Sequence, residues 1–214
     1  MVRVILVDRF GSLAASARVA GWSEAEVLAW TDIVEVPLDP GTAFVSPANS
    51  LGYMDGGIDM VLSRVMFPGV EARVRAAIAS RGRLSELGRP FLQIGEALAV
   101  PTQHPGVLLI SAPTMWQPQD VRGTHNAYHA MYAALTEAGR QGAKVMVTPG
   151  LCTGCGMMEP ETAVRQMMAA HRDVESGLPP RWGPEEVARE QPLVYVNSEF
   201  KAIAVTDMCR VASE

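Results

Sequence analysis

Short apolar runs alternate along this chain with stretches whose apolar residues recur every three or four positions, and the alternation predicts the elements. Residues 2–7 are apolar up to Asp8 and predict a strand. Residues 12–30 are Ala-rich with helical spacing, interrupted at Gly21. Residues 32–36 and 43–45 predict strands on either side of the turn Pro37-Leu38-Asp39-Pro40-Gly41. The helical spacing over 58–80 is cut by Pro68-Gly69, which predicts two helices rather than one. Two strands are expected over 91–100 and 107–111, then a helix over 124–139 and a buried strand over 144–148. A helix over 161–171, a strand over 192–196 and a helix over 199–211 complete the pattern, with the Pro-rich segment 176–192 wrapping the surface. Strands alternating with helices predict an α/β fold: a mixed central sheet flanked by helices, in one domain over 1–214.

Composition narrows the function classes. With 48% hydrophobic and 19% charged residues, the chain can bury a sizeable core. Its net charge of −5 argues against broad binding to nucleic acid or anionic membranes, leaving room for a local basic patch. No apolar run approaches the roughly 20 residues of a membrane span, and the N-terminus lacks the pattern of a signal peptide. Three cysteines, an odd count, do not suggest a disulfide framework, so a cytoplasmic location is expected.

Chemistry concentrates in two glycine-bearing loops. The apolar run 43–45 leads into Ser46-Pro47-Ala48-Asn49, then a loop, then Asp55-Gly56-Gly57-Ile58-Asp59 at the start of a helical pattern. The run 145–148 leads into Gly150-Leu151-Cys152-Thr153-Gly154-Cys155-Gly156, again before a helix. In α/β sheets ligands sit outside the carboxyl ends of strands, where glycines admit a phosphate and helix N-termini offer N–H donors. Neither loop is a Walker loop, and no G-x-G-x-x-G follows the first strand.

Val45-Ser46-Pro47-Ala48-Asn49 resembles the V-N-A-A-N of the macro domain family, the ADP-ribose binders, and Gly56-Gly57-Ile58 falls at the spacing of its G-G-V. Leu109-Ile110-Ser111-Ala112-Pro113 is similar to the family's following strand. Cys152-Thr153-Gly154-Cys155-Gly156 with Pro160 resembles its S-T-G-x-[FY]-G-x-P. The likeness spans residues 34–196 and is nearest to MacroD-type ADP-ribosyl hydrolases and phage-like bacterial members. It implies a three-layer α/β/α fold that binds ADP-ribose or an ADP-ribosylated macromolecule, with nucleic acid a partner only as the modified target. It implies that Asn49 meets the distal ribose, that the backbone amides of Gly56, Gly57, Ile58, Thr153, Gly154 and Cys155 hold the diphosphate, and that Ala48 and Gly156 also belong to the ligand site. Asp59 would orient or activate water, and hydrolysis of an ADP-ribosyl ester or of O-acetyl-ADP-ribose would follow; Asp55, in place of part of the family's glycine run, would repel a diphosphate, point outward, or act as the catalytic acid or base. For the adenine, Asp39 is favoured over Glu35 and Asp32, with Asn197 or Phe200 stacking on it. No cofactor or metal is called for.

The sequence departs from the family at three places. Met54 and Asp55 replace part of a longer glycine run, and Gly156 stands where an aromatic residue covers the ribose, with Met157 beside it. Plainer roles stay open for the same residues. Asn49 can cap a turn, Asp59 can answer a helix dipole, and Asp55 can be an N-cap. Cys152 and Cys155 form a CxxC without a second pair of metal ligands. His125 and His129 share one helix side as surface or capping residues, and Trp116 can approach a ligand. A non-catalytic ADP-ribose reader, or a binder of another nucleotide phosphate, remains an alternative to the hydrolase.

Overall fold

The computed structural model describes residues 2–23, 26–85 and 87–191. Six strands form one sheet: β1 (Arg3–Asp8), β2 (Val27–Ala29), β3 (Thr42–Ser46), β4 (Leu98–Pro101), β5 (Leu108–Ser111) and β6 (Val145–Thr148). Their order is β2-β1-β6-β3-β5-β4, parallel except for β4, which runs antiparallel to β5 at the edge. Each inner strand is apolar on both faces. Val4 and Leu6 of β1 point to one core and Ile5 and Val7 to the other; Ala43 and Val45 of β3 oppose Phe44 in the same way. That is why these strands read as unbroken apolar runs rather than as alternating ones.

Helices α1 (Ser12–Ala20), α4 (Asn126–Arg140) and α5 (Pro160–Glu175) cover the first face. The second is covered by α2 (Gly57–Met60), its π-helical continuation Val61–Met66, and α3 (Val70–Ser80). The break at Pro68-Gly69 falls where the proline predicts, with Gly69 left-handed at φ 81°. The short α6 (Pro184–Glu190) packs Val187 inward from the segment expected only to wrap the surface.

Three expected elements differ. Residues 22, 23 and 26–30 do not continue the first helix: left-handed Gly21 ends α1 and Trp22 turns back to bond Ala17, freeing β2 to pair with β1. Residues 32–36 do not extend into a strand. The Asp32 side chain accepts from Val34 N–H and the Glu35 side chain from Asp32 N–H, a reciprocal cap that closes a single 3-10 turn, Ile33–Glu35. Of residues 91–100 only 98–100 pair, because a turn at 93–96, bonded from Glu96 N–H to Gln93 C=O, bends the chain first. The strand expected over 192–196, the helix over 199–211, and Asn197 and Phe200 lie outside the described residues. Among the described residues no helix is long and apolar enough to cross a membrane.

Candidate functional site

β3 and β6 are neighbours, so the loops that leave their carboxyl ends converge. With the turn after β1 and the chain after β5 they enclose a cavity of 640 Å³. Ala48, Asn49, Asp55, Gly56, Gly57, Ile58, Asp59, Thr153, Gly154, Cys155 and Gly156 all line it.

The first loop is shaped by Asn49. Its Oδ1 accepts from the N–H of Leu51 (3.0 Å) and of Tyr53 (3.4 Å), and its Nδ2 donates to Tyr53 C=O (3.1 Å). The amide thus closes its own loop, and one Nδ2 hydrogen remains for a ligand. Gly56, in extended conformation, is the N-cap of α2 and carries no side-chain cap; the N-cap role open to Asp55 therefore does not hold. Gly57 is left-handed at φ 52°, and the first-turn N–H groups of Gly57 and Ile58 have no intrahelical acceptor.

Asp59 lies half-buried in that same first turn. Burial pushes its carboxyl up to about 7. The Ser46 hydroxyl, donating to Oδ1 at 2.6 Å, pulls the other way, and the negative charges of Asp55 and Glu71 add to the rise. Ser46 closes β3, so the strand end and the helix start hold this acid between them.

The second loop is backbone-tight. A Cβ on Gly156 would stand 2.5 Å from the Cys152 carbonyl oxygen and 2.8 Å from Val121 Cγ2. Cys152 (φ 67°) and Met157 (φ 54°) are left-handed, and the N–H of Met157 and Met158 bond back to Gly154 and Cys152. The Thr153 and Gly154 N–H groups donate to no protein acceptor among the described residues. Burial pushes the Cys152 thiol well above its ordinary range, which disfavours the thiolate a redox pair needs. Among the described residues no group of three or more His, Cys, Asp or Glu side chains is placed to hold a metal ion.

Thr114, after β5, joins the two loops. Its hydroxyl donates to Pro47 C=O (2.8 Å), its N–H to Ala48 C=O (3.1 Å), and it hydrogen-bonds the Cys152 side chain. Fully buried Asn126 donates to the Thr114 carbonyl (2.8 Å) and exchanges hydrogen bonds with Gln191. The runs around Thr114 and Asn126 resemble a phage-like branch of the family, but no role for either side chain was readable in the sequence, since their partners lie up to 67 residues away.

The far wall comes from β1 and the Ile33–Glu35 turn. Asp8 Oδ2 accepts from the N–H groups of Leu13 and Ala14, so it occupies the start of α1. Asp32 lines the cavity with Arg9, whose Nε stands 3.4 Å from Asp32 Oδ2. Asp39 does not reach the cavity. It lies in the turn before β3, beside the contacts of Gly41 with Gly106 and Lys144, at the amino ends of the strands. The Asp8 signal, an acid at a strand end five residues before a helical N–H, was readable; the choice of Asp32 over Asp39 needed the sheet order.

Trp116 is not part of the lining and packs edge-on against Phe91 at 4.9 Å. His129 is buried beneath Trp182 rather than at the surface, and burial pushes it down to about 4. His125 stacks on the same indole and pairs with Glu190 at 2.7 Å.

The model of the Macro domain family matches residues 45–167, more than half the chain. An uncharacterized protein of Aquifex aeolicus (strain VF5) is 32% identical over 146 residues, 67% of this chain and 78% of that protein. Among solved structures, the macrodomain of Mycobacterium tuberculosis DarG superposes with a TM-score of 0.53 at 19% identity, covering 67% of this chain and 88% of that one. A macrodomain protein from Streptomyces coelicolor gives a TM-score of 0.45 at 15% identity, covering 82% and 95%. The chain therefore belongs to the macro domain family, whose members bind ADP-ribose.

Proposed function

We propose that this chain binds ADP-ribose in the cavity and hydrolyses mono-ADP-ribosyl esters or O-acetyl-ADP-ribose, releasing ADP-ribose. The diphosphate lies between the N–H groups of Gly56, Gly57 and Ile58 and those of Thr153, Gly154 and Cys155. The adenine end rests by Asp32 and Arg9, in the role first given to Asp39. The distal ribose lies by Ala48 and Asn49, whose remaining Nδ2 hydrogen meets a ribose oxygen.

The observation that carries the hydrolytic part is Asp59, an acid near 7 at the ribose end of the cavity. Near neutral pH it exchanges between its protonated and ionised forms, and the ionised form can take a proton from water. In an ADP-ribosyl ester the water oxygen bonds to the anomeric carbon, the bond from that carbon to the acyl oxygen breaks, and the carboxylate leaves with the electron pair; in O-acetyl-ADP-ribose, whose acetyl sits on a ribose hydroxyl, the water oxygen bonds to the acyl carbon instead and the ribose oxygen leaves with the electron pair and takes up a proton. The proton passes to Asp59, and ionised Asp59 also opposes positive charge developing on the sugar. Asp55, which lines the same cavity, adds negative charge beside Asp59.

The test is release of ADP-ribose from a mono-ADP-ribosylated protein, beside calorimetry with ADP-ribose, ADP and ATP. Release that Asp59→Ala abolishes while ADP-ribose still binds supports the hydrolase. Tight binding without release from the unaltered chain supports the reader. Equal affinities for the three nucleotides sink both.

A further inference from the structure

We propose that an arginine-edged ledge beside Asn49 docks an acidic protein segment that flanks the ADP-ribosylated side chain. The proposal rests on the ADP-ribose assignment above. Tyr53 and Met115 line the cavity beside Asn49, so with the distal ribose at Asn49 the group linked to it would leave on the Tyr53 side.

The ledge starts on that side. Arg75 lies over the Tyr53 ring, 4.3 Å from its centroid. Residues 83–85 and 87–91 then pair as the two arms of a small hairpin, with Ser85 N–H donating to Arg89 C=O (2.9 Å) and Phe91 N–H to Arg83 C=O (3.3 Å). It is tied to the Asn49 loop where Leu92 N–H bonds Ser50 C=O (2.8 Å), and Phe91 packs on Trp116, whose carbonyl accepts from Ser50 N–H. Residues 75–96 hold Arg75, Arg81, Arg83 and Arg89 against Glu86 and Glu96, a cationic segment in a chain of net charge −5. Glu96 serves Arg83 (2.8 Å) and Arg81 (3.9 Å); Arg75 and Arg89 have no carboxylate partner among the described residues. Leu84 and Leu87 stand 59% and 61% exposed on the same hairpin.

This chemistry favours carboxylates over bases. Single strands bind by stacking on open aromatic faces. Here Tyr53 is covered by Arg75, while Arg83 lies over Phe91 at 5.8 Å and Trp116 meets it edge-on. What the ledge presents is guanidinium forks, which match carboxylates in paired hydrogen bonds, next to exposed leucines. An ester-linked ADP-ribose sits on an Asp or Glu, so an acidic neighbourhood is chemically consistent with the substrate. Rim ion pairs are weak alone, but tethering through ADP-ribose makes the second contact intramolecular.

The experiment compares three probes on the full chain: free ADP-ribose, and ADP-ribose joined through a hydrolysis-resistant aminooxy linkage to a Glu-rich peptide or to its Gln counterpart. The Glu conjugate is expected to bind about tenfold more tightly than the Gln conjugate. Arg83→Gln with Arg89→Gln, or 0.5 M salt, is expected to erase that gap, while the double variant keeps its affinity for free ADP-ribose and so its fold. Equal binding of both conjugates, or a gap that survives the double variant, overturns the ledge. An oligonucleotide conjugate that gains more than the Glu peptide, with the same arginine dependence, also overturns it in favour of nucleic acid. Absence of free ADP-ribose binding overturns the underlying assignment, which separates the two failures.

Discussion

Replacing Asp59 by Asn removes a titration that the fold opposes, and its effect has a definite sign. Burial raises the Asp59 carboxyl from the ordinary 3.8 to about 7. The folded state therefore prefers the proton. The stability this proton supplies is fully present below about pH 4, falls as pH rises from there through 7, and is gone above. The rise from 3.8 to about 7, at about 1.4 kcal/mol per tenfold in proton affinity, sets a ceiling of ~4 kcal/mol. Water in the open cavity reaches the half-buried carboxylate and screens it, so about 2 kcal/mol is the expected gain of the Asn variant at pH 8.5. At pH 4.5 the gain shrinks toward zero. Asn keeps the shape and can still accept from the Ser46 hydroxyl, so packing is conserved.

The assay is urea or thermal unfolding of both proteins from pH 4.5 to 8.5, followed by the fluorescence of the four tryptophans. A gain of about 2 kcal/mol corresponds to roughly 4–8 °C in Tm for a chain of this size. Taking the difference between variant and parent cancels distant groups whose titration is common to both. A gain of equal size at both pH values would show that Asp59 is strained or badly packed rather than reluctant to ionise. No gain at pH 8.5 would show an ordinary surface carboxylate and remove the basis for a neutral-pH base.

The same ionisation bears on the ligand. ADP-ribose affinity, by calorimetry, is expected to fall severalfold between pH 6 and pH 8 as Asp59 gains charge near the diphosphate, and to stay flat in Asp59→Asn. Gly156→Ala is expected to cost about 1–3 kcal/mol by denaturation, since its methyl meets the Cys152 carbonyl at 2.5 Å. Gly154→Ala meets nothing within 4 Å, and unfolding within about 1 kcal/mol of the parent is expected. Thr114→Val leaves the Pro47 carbonyl without its 2.8 Å partner; a loss of about 1–2 kcal/mol in unfolding and a weaker ADP-ribose isotherm are the expected readouts.

Much of the cavity could be read from the chain because its parts are local. The loop Ala48–Asn49 and the glycines 56, 57, 154 and 156 follow apolar runs and precede helical periodicity, and that pattern alone placed them at strand ends. Where short-range chemistry competes with periodicity the pattern misled. Asp32 and Glu35 close a reciprocal cap over residues whose apolar content suggested a strand, and Gly21 ends a helix that Ala-rich spacing would have carried on. The properties that matter most to reactivity were out of reach. The protonation of Asp59 depends on Ser46 thirteen positions earlier and on how the loop shields both. The coupling of the two loops depends on a threonine 67 positions after Pro47. Neither leaves a periodic trace.

One long-range fact decides whether the two loops form a site at all, and it is the pairing of β3 with β6. Phe44 lies opposite Val147, although about a hundred positions separate them in the chain. Adjacent strands lie about 4.8 Å apart, so loops leaving their carboxyl ends can grip one diphosphate from both sides. One strand inserted between them would open that distance to about 10 Å, and the glycines of either loop would face open space. Sequence order is silent on this, since β6 pairs with β1 on its other side and equally apolar β5 was available to β3. The observed order lets β5 lie on the outer flank of β3, where Thr114 reaches across to both loops from the strand that follows neither of them. The two loops thus share a brace as well as a boundary.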